Sequence, residues 1–311
     1  MNTLICGSVA YDTIMVFSDR FRNHILPDQL HILNVSFLVP DMRREFGGCA
    51  GNIAYSLHLL GGRPQMMATV GRDFQPYADR LDALKLPRAH VTEVPDSYTA
   101  QAFITTDLDD NQITAFHPGA MMQSHRNHVG DAANVTLGIV SPDGRDGMLQ
   151  HAREFAEAGI PFVFDPGQGL PMFDGKDLDA FIDQAAYVTV NDYEAKLVEE
   201  RTGQSVEALS KRVKAFVVTR GGQGSLIWAD GRQIEIPPVP AHAVVDPTGC
   251  GDAYRGGLLY GIANGLDWAV TGRLASLIGA LKIASRGAQN YTFTRDEIAV
   301  RYREAFGSTP W

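Results

Sequence analysis

The 311-residue sequence predicts an α/β fold, with a mostly parallel central sheet, helices on both of its faces and a small separate β-sheet. Three observations carry this. Short apolar, β-branched runs recur along the chain, and most are followed by amphipathic stretches, the rhythm of strand and crossover helix. Two stretches break that rhythm with strand-like patterning and no helix between strands. With 45% hydrophobic and 20% charged residues, the chain is long enough to bury one large core and carry a smaller appendage.

In chain order, the runs at 3–9, 65–70, 136–141, 161–165, 186–190, 214–219 and 225–229 read as strands. The stretches 50–61, 147–158, 191–201, 204–213, 251–264 and 267–284 read as helices. The last two carry Gly256, Gly257, Ala275 and Gly279, small residues that permit close packing. Residues 14–46 hold extended pieces, and 98–117 alternate through Thr99, Gln101, Phe103 and Thr105 and again from Gln112 to Phe116. Two arrangements suit these stretches. One is a lid of 14–46 and 98–117 inserted into a large domain of 1–13, 47–97 and 118–311; the other is a set of long hairpins decorating a sheet edge. A lid serves phosphoryl transfer by excluding water that would otherwise accept the phosphate.

Composition narrows the function classes. A formal net charge of −9 and a sequence pI of about 5.4 argue against a nucleic-acid surface, so an anionic ligand must be captured locally. The chain enters the apolar run Thr3 to Cys6 without a basic leader, and no stretch reaches membrane-spanning length, so the expectation is a cytoplasmic protein with no membrane partner. Three cysteines, Cys6, Cys49 and Cys250, cannot all pair and lack metal-ligand spacing, which suits a reducing compartment.

The chemistry concentrates at Asp246-Pro247-Thr248-Gly249-Cys250-Gly251-Asp252. Two glycines at the mouth of a helix let several backbone N–H groups converge on one spot, with the helix dipole adding positive charge, and that arrangement holds a phosphate. A carboxylate beside a phosphate makes sense as a base for an attacking hydroxyl, so Asp252 reads as the base of a phosphoryl transfer to an alcohol. The alternative is that Asp246 or Asp252 caps the helix around an ordinary tight turn.

Other segments join this site. Asp12 follows the first strand, where open α/β sheets bind ligands, and is suited to grip vicinal hydroxyls or to cap a turn. Gly47-Gly48-Cys49-Ala50-Gly51-Asn52 opens a helix and lets a polyol approach the backbone, with Asn52 offering a donor and an acceptor. Asn191 and Glu194 begin a helix after a strand, and Glu194 is suited to organise magnesium through its water shell. Thr219, Gly221, Gly222 and Gly224 form either a close path for a nucleotide or a glycine-rich turn. No G-x-x-x-x-G-K-[ST] or G-x-G-x-x-G pattern occurs, so P-loop and classical dinucleotide enzymes are poorly supported.

With these elements in this order, the chain resembles the ribokinase (pfkB) family along essentially its whole length. The two family signatures correspond to Gly47 through Asn52 and Asp246 through Asp252. The segments Ser36 to Val39, Thr105 to Asp107 and Phe116 to Met121 are most similar to bacterial adenosine kinases. The resemblance implies a ribokinase-like three-layer αβα domain with a β-sheet lid, ATP and Mg2+ as cofactors, K+ as a monovalent activator, and 5′-phosphorylation of a purine nucleoside, adenosine to AMP. It implies Asp252 as the base, with Gly249, Cys250 and Gly251 supplying N–H groups to the transferring phosphate. Asp12, Gly48 and Asn52 would hold the ribose, and Ser8, Gln168 and Phe116, or else Phe103, would line the nucleoside pocket, an aromatic ring stacking on the base. Asn191, Glu194, Thr219, Gly221, Gly222 and Gly224 would serve ATP and magnesium, and Asp246 and Thr248 the potassium.

Two departures from the signature stand out: Pro247 after the first aspartate, which stiffens that loop, and Cys250 between the glycines. A thiol at a helix N-terminus can have a depressed pKa, giving a redox-sensitive position, or the residue is chosen for size alone. The alternatives to a nucleoside kinase are a ribose or fructose kinase on the same fold and a non-catalytic nucleoside sensor. An exposed lid edge further suggests a homodimer.

Overall fold

The computed structural model describes residues 1–32, 34–109 and 111–311, so within the two irregular stretches Leu33 and Asp110 lie outside the described residues. In chain order the strands are β1 (Asn2–Cys6), β2 (Ala10–Val16), β3 (Asp41–Gly47), β4 (Arg63–Gly71), β5 (His90–Val94), β6 (Ala100–Thr106), β7 (Gln112–His117), β8 (Val135–Val140), β9 (Phe162–Phe164), β10 (Tyr187–Asn191), β11 (Ala215–Thr219), β12 (Ser225–Ala229) and β13 (Arg232–Ile236). The helices are α1 (Cys49–Leu59), α2 (Gln75–Ala83), α3 (Arg145–Glu157), α4 (Gly175–Gln184), α5 (Asp192–Thr202), α6 (Val206–Ser210), α7 (Cys250–Ala263), α8 (Trp268–Ile283) and α9 (Arg295–Phe306).

Nine strands form one sheet in the order β13-β12-β11-β10-β9-β8-β1-β4-β5. The pairs from β11 through to β5 are all parallel, and only the β11–β12 and β12–β13 pairs at one edge are antiparallel. Strands buried on both faces must be apolar on both, and β1 shows this: Leu4 and Cys6 join a core with Phe155 and Phe162, whereas Ile5 joins one with Ile53 and Leu259. On the second face α7 lies against α1 and α8. A Cβ on Gly256 would stand 2.5 Å from the Ser56 Cβ and one on Gly257 2.7 Å from the Ala275 Cα, which is the close packing those small residues were expected to allow. Among the described residues, no helix is long and apolar enough to cross a membrane.

The two irregular stretches form one separate sheet, ordered β3-β2-β6-β7, in which β2 and β6 are parallel. It begins earlier than the sequence pattern suggested. The first run does not continue to residue 9: β1 stops at Cys6, Gly7 and Ser8 bond to Met67 and Pro142, and β2 starts at Ala10, so Asp12 stands on the small sheet. Between β2 and β3 the chain makes two 3-10 turns around a cluster of Phe17, Phe21 and Phe37, with ring centroids 4.8–5.9 Å apart. Asp107 pins this segment by accepting the Phe21 N–H at 2.9 Å. Burial raises its pKa, but that N–H together with those of Asn111 and Asp109 outweighs burial and holds the carboxyl at about 2.

Five elements lay outside the sequence reading: β5, β13, α2, α4 and α9. All bury little. β13 alternates charged residues on a sheet edge, and α9 buries only Ile298 and Tyr302, so neither carries enough apolar signal to register.

Candidate active site

Helix α7 starts from Gly249, whose φ of 76° lies in the left-handed region that suits glycine. Space forbids a side chain there too, since a Cβ would stand 2.7 Å from the Ala288 Cβ. Cys250 N–H returns to the Pro247 carbonyl at 3.1 Å, but among the described residues no acceptor takes the N–H of Gly251 or Asp252. No side chain caps this helix, which removes the reading of Asp246 or Asp252 as an ordinary cap. Free amides at a helix N-terminus form an anion cradle.

A cation lies against the cradle. A Cβ on Gly251 would stand 2.6 Å from Arg255 Nη1, and Arg255, 7% exposed, meets buried Asp165 in a forked ion pair with both N–O distances 2.5 Å. Burial disfavours the guanidinium charge, but Asp165 more than compensates and holds it above its already high range. Neither Arg255 nor Asp165 was named from sequence; an arginine one turn after the proposed base, within an otherwise apolar helix, was the available signal.

Asp252 is held by a chain of amides. Its Oδ2 accepts from Asn52 Nδ2 at 2.9 Å, and Asn52 Oδ1 accepts from Gln289 Nε2 at 3.0 Å. Gln289 also donates to the Tyr77 hydroxyl at 2.7 Å, which donates to the Gly47 carbonyl at 2.9 Å. The Gln289 bond fixes which end of the Asn52 amide faces Asp252. Burial pushes the Asp252 carboxyl above its ordinary range, against the pull of Arg255 and the Asn52 bond. Gln289 and Tyr77 also escaped the sequence reading, because a glutamine in a loop and a tyrosine in a short charged helix carry no motif.

The small sheet contributes from the other side. Asp12 pairs with Glu45 on β3 and with Ala102 on β6, and Ala102 pairs with Phe116 on β7. Directly paired residues share a face, so Asp12, Ala102 and Phe116 face the same way. That face looks toward the cradle: burial, then the charges of Asp252, Asp246 and Glu45, push the Asp12 carboxyl up to about 6. Phe103 pairs with Thr13 and Ala115 and therefore stands on the opposite face, which corrects its assignment to the nucleoside pocket. Gly48, φ 84°, links the sheets; a Cβ there would stand 2.6 Å from both Ala10 N and the Ser8 carbonyl.

Over residues 11–295 the sequence matches the pfkB family carbohydrate kinase. The chain belongs to this family. Among curated proteins, a nucleoside kinase of Methanocaldococcus jannaschii is 29% identical over 273 residues, covering 86% of this chain and 89% of its own. A ribokinase of Bacillus subtilis is 25% identical, covering 96% and 98%. Among solved structures, Burkholderia thailandensis nucleoside kinase in complex with inosine is 61% identical with a TM-score of 0.90, covering 99% of both chains. The same enzyme in complex with ADP-inosine superposes with a TM-score of 0.88. The protein is an ATP-dependent kinase with the ribokinase-like α/β fold and its small four-stranded sheet.

The remaining sequence-derived positions of this pfkB kinase fall as follows. Ser8 is buried and its Oγ accepts the Cys49 N–H at 3.1 Å, tying down the start of α1. Gln168 is exposed on the turn after β9. Asn191 and Glu194 close a capping box at the start of α5, with Asn191 N–H and Nδ2 donating to the two Glu194 oxygens at 2.8 and 2.9 Å. That fixes the Glu194 carboxylate while leaving lone pairs for water, which fits a magnesium ion held through its water shell. Thr219 ends β11 and leads into the exposed turn Gly221–Gln223, closed by Gly224.

Two expectations meet a different arrangement. Cys250 is not activated: burial first, then Asp246 and Asp252, push its thiol up to about 11 despite Lys282, so the helix-terminus argument for a depressed pKa fails here. Asp246, expected with Thr248 beside a potassium ion, already has a cation on its carbonyl, the Lys282 ammonium at 2.7 Å. Its carboxylate oxygens accept the N–H groups of Thr248 and Gly287, at 2.9 and 2.8 Å.

A concavity of about 790 Å3 lined by Tyr187, Trp228 and Trp268 lies elsewhere, at the amino-terminal end of β10. Open α/β sheets use the opposite, carboxyl ends, and that is where the cradle, Asp12 and Asp252 gather.

Proposed function

We propose that this kinase transfers the γ-phosphoryl group of ATP to the 5′-hydroxyl of a purine nucleoside, with adenosine among its acceptors. The observation that carries this reading is the 61% identity, over 99% of both chains, to a nucleoside kinase solved with inosine. The inward face of the small sheet supports it, with a carboxylate at Asp12 for vicinal hydroxyls and a half-exposed ring at Phe116 for a base.

In this reading the phosphate chain of ATP, with magnesium outside Glu194, lies along Asn191, Thr219 and Gly221 to Gly224 and ends in the cradle of Gly249, Cys250 and Gly251. Bound magnesium neutralises phosphate charge. Asp12, Gly48 and Asn52 hold the ribose; Phe116 stacks on the base, with Ser8 and Gln168 at the edge of the pocket. Asp252 takes the proton of the 5′-hydroxyl as it attacks in line, while the Gly251 and Asp252 amides and Arg255 stabilise the transferring group. The raised Asp252 pKa makes it a better proton acceptor than an ordinary carboxylate.

The outward face of the same sheet exposes Met42, Phe103 and Ile113, which supports pairing of two copies through the lid. A dimer mass by light scattering is the expected result.

The deciding assay is ATP consumption with magnesium, offering adenosine, guanosine, inosine, ribose and fructose in parallel. Turnover with the purine nucleosides is expected. Turnover with a free sugar alone would overturn the base pocket and retain Asp252, and silence with all five would favour a nucleoside sensor.

A further inference from the structure

Lysine is rarely buried without a charged partner, yet Lys282 is 0% exposed near the end of α8. Its ammonium donates to two backbone carbonyls, Asp246 at 2.7 Å and Ser285 at 3.2 Å. These lie on two different segments, the loop leading into the cradle and the turn after α8. The loop is tied to the end of α8 and to the turn after it three more times: Val245 and Asp246 N–H both reach the carbonyl of Ile283, the last residue of α8, at 2.9 and 3.1 Å, and Gly287 N–H reaches Asp246 Oδ2 at 2.8 Å. Asp246 Oδ1 meanwhile accepts the Thr248 N–H at 2.9 Å, one residue before Gly249.

A buried ammonium at this place is compensated by carbonyl dipoles and by carboxylates. Burial lowers the Lys282 pKa, and Asp246, Cys250 and Asp252 work against that. Its charge reaches the cradle: it is felt at both Cys250 and Asp252. One turn before Lys282 on α8, a Cβ on Gly279 would stand 3.6 Å from the Cys250 carbonyl, so this face of α8 lies directly against the start of α7. A metal cation seated between the same two segments would need the carbonyl oxygens Lys282 already holds, and two like charges cannot share them.

We infer that the Lys282 ammonium is a built-in monovalent cation, which ties the Asp246 loop to the 285–287 turn and holds the Gly249 to Asp252 cradle in shape, so that this kinase needs no added potassium. Lys282 is a positioning residue: it acts on the transferring phosphate through the loop it holds and through its charge. The inference rests on the kinase activity and not on which base is recognised.

The test uses the full chain with ATP supplied as its magnesium salt, in buffers whose only other cation is choline, sodium, potassium or ammonium. Wild type should turn over at rates within about twofold in all four, and its melting temperature should not differ between choline and potassium. A tenfold or greater rise in rate, or a clear rise in melting temperature, on replacing choline by potassium would overturn the inference. Lys282→Met should lose tenfold or more of its turnover in choline and regain a substantial part in potassium or ammonium, with a matching rise in melting temperature. A folded Lys282→Met that is equally slow in every salt, with melting unchanged by salt, would reduce Lys282 to a packing role and overturn the inference. Should that variant fail to fold, the wild-type salt series still decides. Should no acceptor be turned over, the nucleoside reading fails separately, and the melting comparison decides on Lys282.

Discussion

Asn52 Nδ2 donates to Asp252 Oδ2 at 2.9 Å, joining the first turns of α1 and α7 across 200 residues of sequence. One bond thus links the segment read as polyol-binding to the segment read as phosphate-binding. It also orients the carboxylate proposed to accept the hydroxyl proton. Asp252→Asn keeps the shape but removes the base, and turnover should fall by about two to four orders of magnitude. ATP affinity, measured by calorimetry, should stay nearly unchanged. Near-normal turnover would end the assignment.

Gln289 decides the orientation of Asn52, since its Nε2 serves both Asn52 Oδ1 and the Tyr77 hydroxyl. Gln289→Leu leaves the buried Asn52 oxygen without its donor, at a cost of about 1–3 kcal/mol in stability. Free to turn, the Asn52 amide presents its oxygen to Asp252 part of the time. We expect a roughly fivefold drop in kcat, equivalent to about 1 kcal/mol, with the KM for ATP unchanged. A variant that loses stability alone would show that Gln289 is structural.

The contrast between Asp252 and Gln289 shows what was legible in the sequence. Gly249, Cys250, Gly251 and Asp252 sit together in the chain, so spacing alone displayed the cradle. The alternating apolar runs did the same for most of the parallel sheet, because two buried faces require continuous apolar residues. Gln289, Tyr77, Arg255 and Lys282 act through partners far away in sequence, such as Asp165, 90 residues from Arg255. Nothing local distinguishes Gln289 or Tyr77 from solvated polar residues, and Arg255 and Lys282 offered only a charge within a largely apolar helix. Phe103 and Phe116 illustrate a third limit: both look alike in an alternating strand, and only the register of β6 against β7 separates their faces.

The forked Arg255 and Asp165 pair yields a stability prediction. Arg255→Leu strands a carboxylate that is 1% exposed, and breaking such a pair from one side typically costs about 3–5 kcal/mol. Replacing Asp165 by Leu as well should recover much of that loss, because no unpaired charge remains. Turnover should not recover, since the cation against the cradle is gone in both variants. Denaturant melts of the two variants, set beside their rates, check both halves.

Asp143 makes stability depend on pH. It lies in the loop after β8, 1% exposed, with Oδ1 accepting the Gly144 N–H at 2.9 Å. Burial outweighs that bond and pushes its carboxyl up to about 8, from an ordinary value of 3.8. The folded chain therefore binds a proton that the unfolded chain releases between about pH 4 and 8. This contribution to stability is fully present below that window and drains away as pH rises through it. Asp143→Asn mimics the protonated acid and lacks the loss, so the difference in melting temperature between variant and wild type should widen in the variant's favour from pH 5 to pH 8. A constant difference would mean that Asp143 does not titrate in this window.

The two phenylalanines of the small sheet should behave as different kinds of residue. Phe116 shares the face of Asp12, so Phe116→Ala should weaken use of adenosine and inosine by about 1–3 kcal/mol in kcat/KM, the range for losing one base stack. Free ribose, which has no base, should be used no worse than by wild type. Phe103, 40% exposed on the other face, should leave nucleoside kinetics within about twofold when changed to Ala, since only a loss of about 1.4 kcal/mol reaches tenfold. Its loss should instead loosen pairing of copies, seen as a lower mass at equal concentration. Equal kinetic losses for both variants would mean that the face of the small sheet does not set its role, and with that the proposal of Phe116 as the base platform would fall.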